Sequence, residues 1–197
     1  MGKGAGDEVT VPRALDIVIA LLALAVLSPV LLIAAVAIKL GSRGPVFYRQ
    51  RRVGLRGEEF EMLKLRTMVA GSDPVGVGSV VTRDDPRVTA AGRLLRRTSL
   101  DEIPNLVNVL RGEMAIVGPR PTIPAQVVDY TPRQRRRHEV RPGITGWAQV
   151  QGRAGIPWEE RIELDLEYVD RRGIVLDARI LAKTVWLLVS GHGLAPD

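Results

Sequence analysis

The residues best suited to chemistry sit together in Arg96-Arg97-Thr98-Ser99-Leu100-Asp101-Glu102-Ile103-Pro104. Two adjacent carboxylates, Asp101 and Glu102, can divide labour: one attacks phosphorus while the other helps hold a hard cation or handles a proton. Ser99 followed three residues later by Glu102 also spells a capping box, in which Glu102 only occupies a free backbone N–H and Asp101 complements the helix dipole. Both readings put the pair at the start of a helix over 99–110, ended by Gly112, where a carboxylate stays ionised and free N–H groups can receive a phosphate.

Basic side chains that could cradle a diphosphate are Lys64 and Arg66 in Leu63-Lys64-Leu65-Arg66-Thr67, Arg96 and Arg97, Arg120 in Gly118-Pro119-Arg120-Pro121, and Arg153 in Gln151-Gly152-Arg153. Taken singly, each reads as a solvated surface charge. Several adjoin Gly or Pro, where a loop can hold a guanidinium for bidentate phosphate contact. The run Arg133, Arg135, Arg136, Arg137 lacks such shape-fixing neighbours and reads as a solvated patch or an attractor of lipid head groups.

Composition narrows the chemistry further. There is no cysteine and there are two isolated histidines, His138 and His192, which excludes disulfides, thiolate nucleophiles, Cys-ligated zinc and a His-rich metal site. A metal, if used, is held by carboxylates, which favours Mg²⁺. The net charge of +6 points to anionic partners. With 4% aromatic residues and no nucleic-acid motif, nucleic acid is not among those expected. At 197 residues, 46% of them apolar and 25% charged, the chain has room for one folded domain and one appended segment.

That segment is residues 14–38, apolar except for Asp16 near its start. At about 1.5 Å per residue its length suits a spanning helix. Ser28-Pro29 divides it, however, into arms at 17–27 and 30–38, because proline removes a helix hydrogen bond and clashes with the preceding turn. Basic residues flank both ends: Lys3 and Arg13 before, Lys39, Arg43, Arg49, Arg51 and Arg52 after, so the positive-inside rule separates no inside from outside. A helix that enters, bends at Ser28-Pro29 and returns to the cytoplasmic face satisfies both observations. A kinked spanning helix competes with it; a signal peptide does not, lacking a small-residue cleavage site.

Around the site, the pattern predicts a basic connector over 41–52, a strand over 59–65 with Phe60, Met62, Leu63 and Leu65 inward, and a mobile loop over 71–85. It predicts a short helix over 89–97 with Leu94 and Leu95 inward and Arg96 outward, and an irregular stretch over 117–124. A helix over 158–171 and an amphipathic stretch over 174–189, mostly core, complete it. The fold class is α+β and mostly helical: a flexible 1–12, a re-entrant helix-break-helix at 13–40, a cytoplasmic catalytic domain at 41–190 with amphipathic interfacial helices, and a tail at 191–197.

From about Arg13 to about Leu188 the chain closely resembles the bacterial sugar transferase family, small monotopic phosphoglycosyl transferases. The resemblance rests on the order of Arg13-Ala14-Leu15-Asp16, Ser28-Pro29, Gly44-Pro45-Val46-Phe47, Gln50-Arg51-Arg52-Val53-Gly54, Lys64-Leu65-Arg66-Thr67-Met68, Ser99-Leu100-Asp101-Glu102-Ile103-Pro104, Gly118-Pro119-Arg120-Pro121 and Arg141-Pro142-Gly143-Ile144-Thr145-Gly146 leading to Gly152-Arg153. It implies transfer of a phosphosugar from a UDP-sugar to polyprenol phosphate at the bacterial inner membrane, with Mg²⁺ as cofactor and a phosphosugar-aspartyl intermediate on Asp101. It also implies Glu102 in metal or proton handling, Lys64, Arg96, Arg120 and Arg153 in phosphate or nucleotide contact, and Asp177 as a weaker carry-over. Where the family usually has Asn after Gly152-Arg153, this chain has Ala154. Two alternatives stand beside it: a membrane-anchored basic adaptor, and direct attack by the acceptor with Asp101 only a metal ligand.

Overall fold

The computed structural model describes residues 13–72, 85–152 and 156–190. Arg153 and Ala154, the segments 1–12 and 191–197, and most of the expected mobile loop lie outside them. The architecture is α+β and mostly helical, as expected. Its first element is one long helix, α1 (Arg13–Gly41).

Pro29 lies inside α1 and does not end it: Ser28-Pro29 sits within one helical element rather than between two separate helices. The local chemistry explains this. Proline has no N–H to give to the carbonyl of Ala25, and the Ser28 hydroxyl donates to that same carbonyl at 2.8 Å instead.

Both ends of α1 are tied to the same domain. At the start, Arg13 donates to the carbonyls of Met114 (3.1 Å) and Val109, and Asp16 accepts from the Ile116 N–H at 3.0 Å. Ala20 packs there with Leu106, Val109, Met114 and Ile116. Near the other end, Ala34 and Ile38 pack with Leu65 and Leu95. Between these anchors Leu21, Leu22, Val26, Val30, Leu32 and Ile33 are exposed.

The expected basic connector turns out to hold a strand. β1 (Phe47–Val53) pairs antiparallel with β2 (Glu59–Leu65), Phe47 opposite Leu65 and Val53 opposite Glu59. Charged side chains at alternate positions of β1 mask its strand character, because one face of this two-stranded ribbon meets solvent. Met62 and Leu65 are buried as expected, while Phe60 and Leu63 are half-buried.

A short helix, α2 (Ala90–Arg97), is capped by Thr89, whose hydroxyl accepts from the Gly92 N–H. A Cβ at Gly92 would lie 1.9 Å from the Thr67 carbonyl oxygen, so only glycine lets α2 lie this close to the end of β2. Leu95 faces inward, but Leu94 is 62% exposed, against expectation. After a 3₁₀ turn (Leu100–Glu102) comes α3 (Asn105–Arg111), ended by Gly112 with φ 87. β3 (Ala115–Val117) pairs in parallel with β4 (Gly143–Thr145) and closes the core against α3.

The remaining elements are α4 (Pro124–Val127), α5 (Pro132–Arg135), α6 (Trp147–Gln151), α7 (Trp158–Arg171) and α8 (Ile174–Ser190). α7 buries Ile162, Leu166 and Val169, the expected positions. α8 does not follow the core expectation: only Asp177 and Ile180 are buried, whereas Ile174, Val175, Val185, Trp186, Leu188 and Val189 are exposed. It presents a second apolar surface beside that of α1.

The arginine run is not a free cationic patch. Arg133 pairs with Glu163, Arg136 with Glu139 and Asp170, and Arg137, 3% exposed, with Asp165. Arg135 donates to the carbonyls of Tyr130 and Val128. Acids spaced along α7 thus pair with three of the four arginines of a run that linear sequence left unpaired.

Candidate active site

The helix expected over 99–110 begins late. Ser99 takes left-handed backbone angles (φ 55), its hydroxyl makes no cap hydrogen bond, and Leu100–Glu102 form a 3₁₀ turn before α3. The capping box is therefore not formed. The N–H groups of Glu102 and Ile103 already donate to the carbonyls of Ser99 and Leu100. They do not stand free for a phosphate.

With the cap geometry gone, the Glu102 side chain turns to two cations. Lys64, from β2, donates to Oε1 at 2.7 Å, and Arg120, from the loop after β3, reaches Oε1 at 2.5 Å and Oε2 at 3.1 Å. Burial alone would raise the Glu102 carboxyl, but Arg120 and Lys64 outweigh it and hold the group well below the usual carboxylate range. In return Glu102 raises Arg120, while burial lowers Lys64 against the pull of Glu102.

Asp101 is in the opposite situation. Among the described residues no hydrogen bond or ion pair within contact distance reaches its carboxylate, and burial pushes it up to about 6, Lys64 pulling it back and the neighbouring Glu102 charge adding to the rise. One carboxylate is thus clamped in its ionised form, and the other, partly desolvated, titrates just below neutrality.

Both acids open onto a cleft of about 1370 Å³, also lined by Lys64, Arg96 and Arg120. Arg96, expected outward, is half-buried and its Nε donates to the Thr67 hydroxyl at 2.9 Å. The same cleft reaches Leu27 in the middle of α1 and Leu188 near the end of α8, so its polar floor and the exposed apolar helices share one space.

Two sequence-nominated residues have other tasks. Arg66 also borders the cleft, but it donates to the carbonyls of Ser42 (2.8 Å), Arg43 (2.9 Å) and Ile38 (3.3 Å) and to the Ser42 hydroxyl. It satisfies the carbonyls at and after the C-terminus of α1 rather than facing a ligand. Gly44 (φ +122) completes that anchor, since a Cβ there would lie 2.2 Å from the Arg66 Nη1. Asp177, 2% exposed, accepts from the Tyr168 hydroxyl at 2.9 Å and is not among the residues lining the cleft.

Sequence reasoning missed Arg52. Its guanidinium donates to the Gln50 side chain and to the Pro121 carbonyl, and burial together with neighbouring Arg120 lowers it to about 10. A strand position facing the site is the available signal, and reading residues 41–52 as a connector hides it.

The donor set accommodates Mg²⁺ in one way. Among the described residues no cluster of three or more ligating side chains exists, so a closed protein cage is absent. Glu102 faces two cations that would repel a metal. Of the pair, Asp101 is the carboxylate that no described residue engages, so it is the group that would help hold a Mg²⁺.

Residues 8–191 match the bacterial sugar transferase family. The chain is 45% identical over 184 residues to the uncharacterized sugar transferase EpsL of Bacillus subtilis, covering 92% of this chain and 89% of that one. It is 46% identical over 185 residues to the UDP-glucose:undecaprenyl-phosphate glucose-1-phosphate transferase of Escherichia coli, covering 88% of this chain but 39% of that protein. To the UDP-N-acetylgalactosamine-undecaprenyl-phosphate N-acetylgalactosaminephosphotransferase of Aeromonas hydrophila it is 39% identical, covering 93% of this chain and 44% of the relative.

Proposed function

We propose that this chain, which belongs to the bacterial sugar transferase family, moves a phosphosugar from a UDP-sugar onto a polyprenol phosphate and releases UMP. The observation that carries the reading is the split acid pair. Glu102 is fixed as an anion by Lys64 and Arg120, and Asp101 has no partner among the described residues at the edge of a cleft that leads to apolar helices.

In this reading the donor diphosphate lies against Lys64, Arg96 and Arg120. Glu102 orients the first and last of these, whose remaining N–H groups meet phosphate oxygens. An Asp101 oxygen attacks the phosphorus that bears the sugar. The bond from that phosphorus to the oxygen bridging to UMP breaks, and UMP departs with the electron pair. A phosphate oxygen of the acceptor then attacks the same phosphorus, and the Asp101 carboxylate leaves, giving a polyprenol diphosphate sugar. A carboxyl raised to about 6 suits both halves: it is mostly ionised at neutral pH, yet less stabilised by solvent than a surface aspartate. Mg²⁺ bound by Asp101 and the phosphates would supply charge neutralisation at the phosphoryl oxygens.

The two ends of α1, both anchored to one domain, support a helix that enters the membrane and returns, leaving the site on the cytoplasmic face. The exposed apolar faces of α1 and α8 would rest in the bilayer at the depth of the acceptor phosphate. Intact-protein mass after incubation with UDP-sugar and Mg²⁺, without acceptor, tests the reaction. A phosphosugar adduct on Asp101 is expected; UMP release only when acceptor is present, with no adduct, would favour direct attack instead.

A further inference from the structure

The loop that carries Arg120 has three consecutive carbonyls, and each is taken by a donor from elsewhere in the chain. The Arg120 carbonyl accepts from Arg137 Nη2 at 3.0 Å, the Pro121 carbonyl from Arg52 Nη1 at 2.9 Å, and the Thr122 carbonyl from the Val53 N–H at 2.8 Å. Neither arginine is a loose surface charge. Arg52 is also held by two contacts to the Gln50 side-chain oxygen, at 3.1 and 2.7 Å. Arg137 is fixed by Asp165 and by the Tyr130 hydroxyl at 2.7 Å, and its guanidinium lies 5.5 Å from the centroid of the Trp158 ring.

We propose that Arg52 and Arg137 are positioning residues: each grips one carbonyl of the Arg120-Pro121 step, and together they aim the Arg120 guanidinium at Glu102 and at the phosphate space beyond it. The proposal rests on the reading of Arg120 as a phosphate contact. The physical need is clear. A loop with prolines at 119 and 121 has few backbone N–H groups of its own for cross-bracing, so its carbonyls must be held from outside to keep one conformation. Two side chains from opposite sides of the sequence, residue 52 on β1 and residue 137 after α5, provide that hold. Charge-assisted hydrogen bonds are stronger than neutral ones, so arginine does this better than a neutral donor would.

Arg52→Lys and Arg137→Lys keep the charge, and an ammonium at position 137 can still face Asp165, but neither replacement can span the full set of acceptors its arginine holds. With the full chain in detergent micelles, each should lower kcat/KM for the UDP-sugar about tenfold, and thermal melting checks that the variants remain folded. In an Arg120→Ala background the same changes should cost less than about twofold, because there is no guanidinium left to aim. Equal losses in both backgrounds would mean that Arg52 or Arg137 meets the substrate itself or acts only on general stability, and would overturn the proposal. A readout without turnover separates this from the reaction. Rotation of the ¹⁵N-labelled Arg120 guanidinium, restrained by Glu102, should speed up in both substituted proteins. Unchanged rotation sinks the brace even in an active enzyme, whereas faster rotation in a protein that never releases UMP keeps the brace and defeats the proposed reaction.

Discussion

Lys64 on β2 and Glu102 on the 3₁₀ turn, 38 residues apart in the chain, meet at 2.7 Å. This contact, doubled by Arg120, distinguishes two adjacent carboxylates: Glu102 is ion-paired, and no described residue pairs with Asp101. A group with two cationic partners is a poor nucleophile and a poor base, since its lone pairs are engaged and its negative charge is stabilised. In the proposed reaction the nucleophilic work of the pair therefore falls to Asp101.

Asp101→Asn should abolish the adduct in intact-mass analysis and also stabilise the fold. The folded carboxyl lies near 6, above its ordinary value of 3.8. Its contribution to stability is thus fully present below the unfolded value and is lost as pH rises through about 6. At neutral pH the asparagine removes the cost of a partly desolvated charge, a gain on the order of 1–2 kcal/mol, seen as a higher melting temperature. An equally active or clearly less stable variant would contradict the assignment.

The rate of UMP release without acceptor should fall as pH drops through about 6, where Asp101 takes up its proton. Glu102→Gln removes a like charge and frees Lys64 and Arg120 to pair with Asp101, so the acid limb should move to lower pH while the maximal rate falls by roughly tenfold or more. Single-turnover rates measured across the acid and neutral range would show it. A limb that moves upward would refute this electrostatic account.

Arg66→Ala should lower stability by about 2–4 kcal/mol, because it takes from the Ser42 and Arg43 carbonyls, just after the end of α1, the donor that Arg66 supplies. Donor KM in the protein that remains folded should change less than about twofold. Arg120→Ala should do the reverse, raising KM for the UDP-sugar with a smaller loss of stability. Urea unfolding beside steady-state kinetics separates the two arginines.

For α1, single cysteines introduced at positions 11 and 43, one before and one after the helix in sequence, should react alike with a membrane-impermeant thiol reagent, since the two ends of the helix meet one domain. No native cysteine confuses the readout. Opposite accessibility would make α1 a spanning helix. Replacing Ser28 with Ala should destabilise the helix by about 1 kcal/mol, because the Ala25 carbonyl then has no donor in an apolar setting.

Local patterns are readable where a single element explains the residue. The alternation over 59–65 and the 3.6-residue spacing over 158–171 reveal their elements and most of their buried faces. Gly112 marks the end of α3. Reading fails where a side chain is governed by something distant in sequence. The Ser99-to-Glu102 spacing promises a cap, yet ion pairs with Lys64 and Arg120 hold Glu102 elsewhere. The arginines at 133–137 look free because most of their acids lie on α7. Leu94 and much of α8 read as inward on hydropathy, which does not say whether an apolar face meets a core or a bilayer.

The amino-acid order by itself determined the chemistry within reach: adjacent carboxylates, a surplus of guanidinium groups, no thiol, and a long apolar segment with Ser28-Pro29 near its middle. Those properties belong to residue types and short spacings, which survive without a fold. Tertiary structure alone decided that Asp101 has no partner among the described residues while Glu102 is clamped, that Arg66 anchors α1, and that both ends of α1 contact one domain. Each of these depends on which distant groups lose water together, and only the folded chain brings those groups within a hydrogen bond of one another.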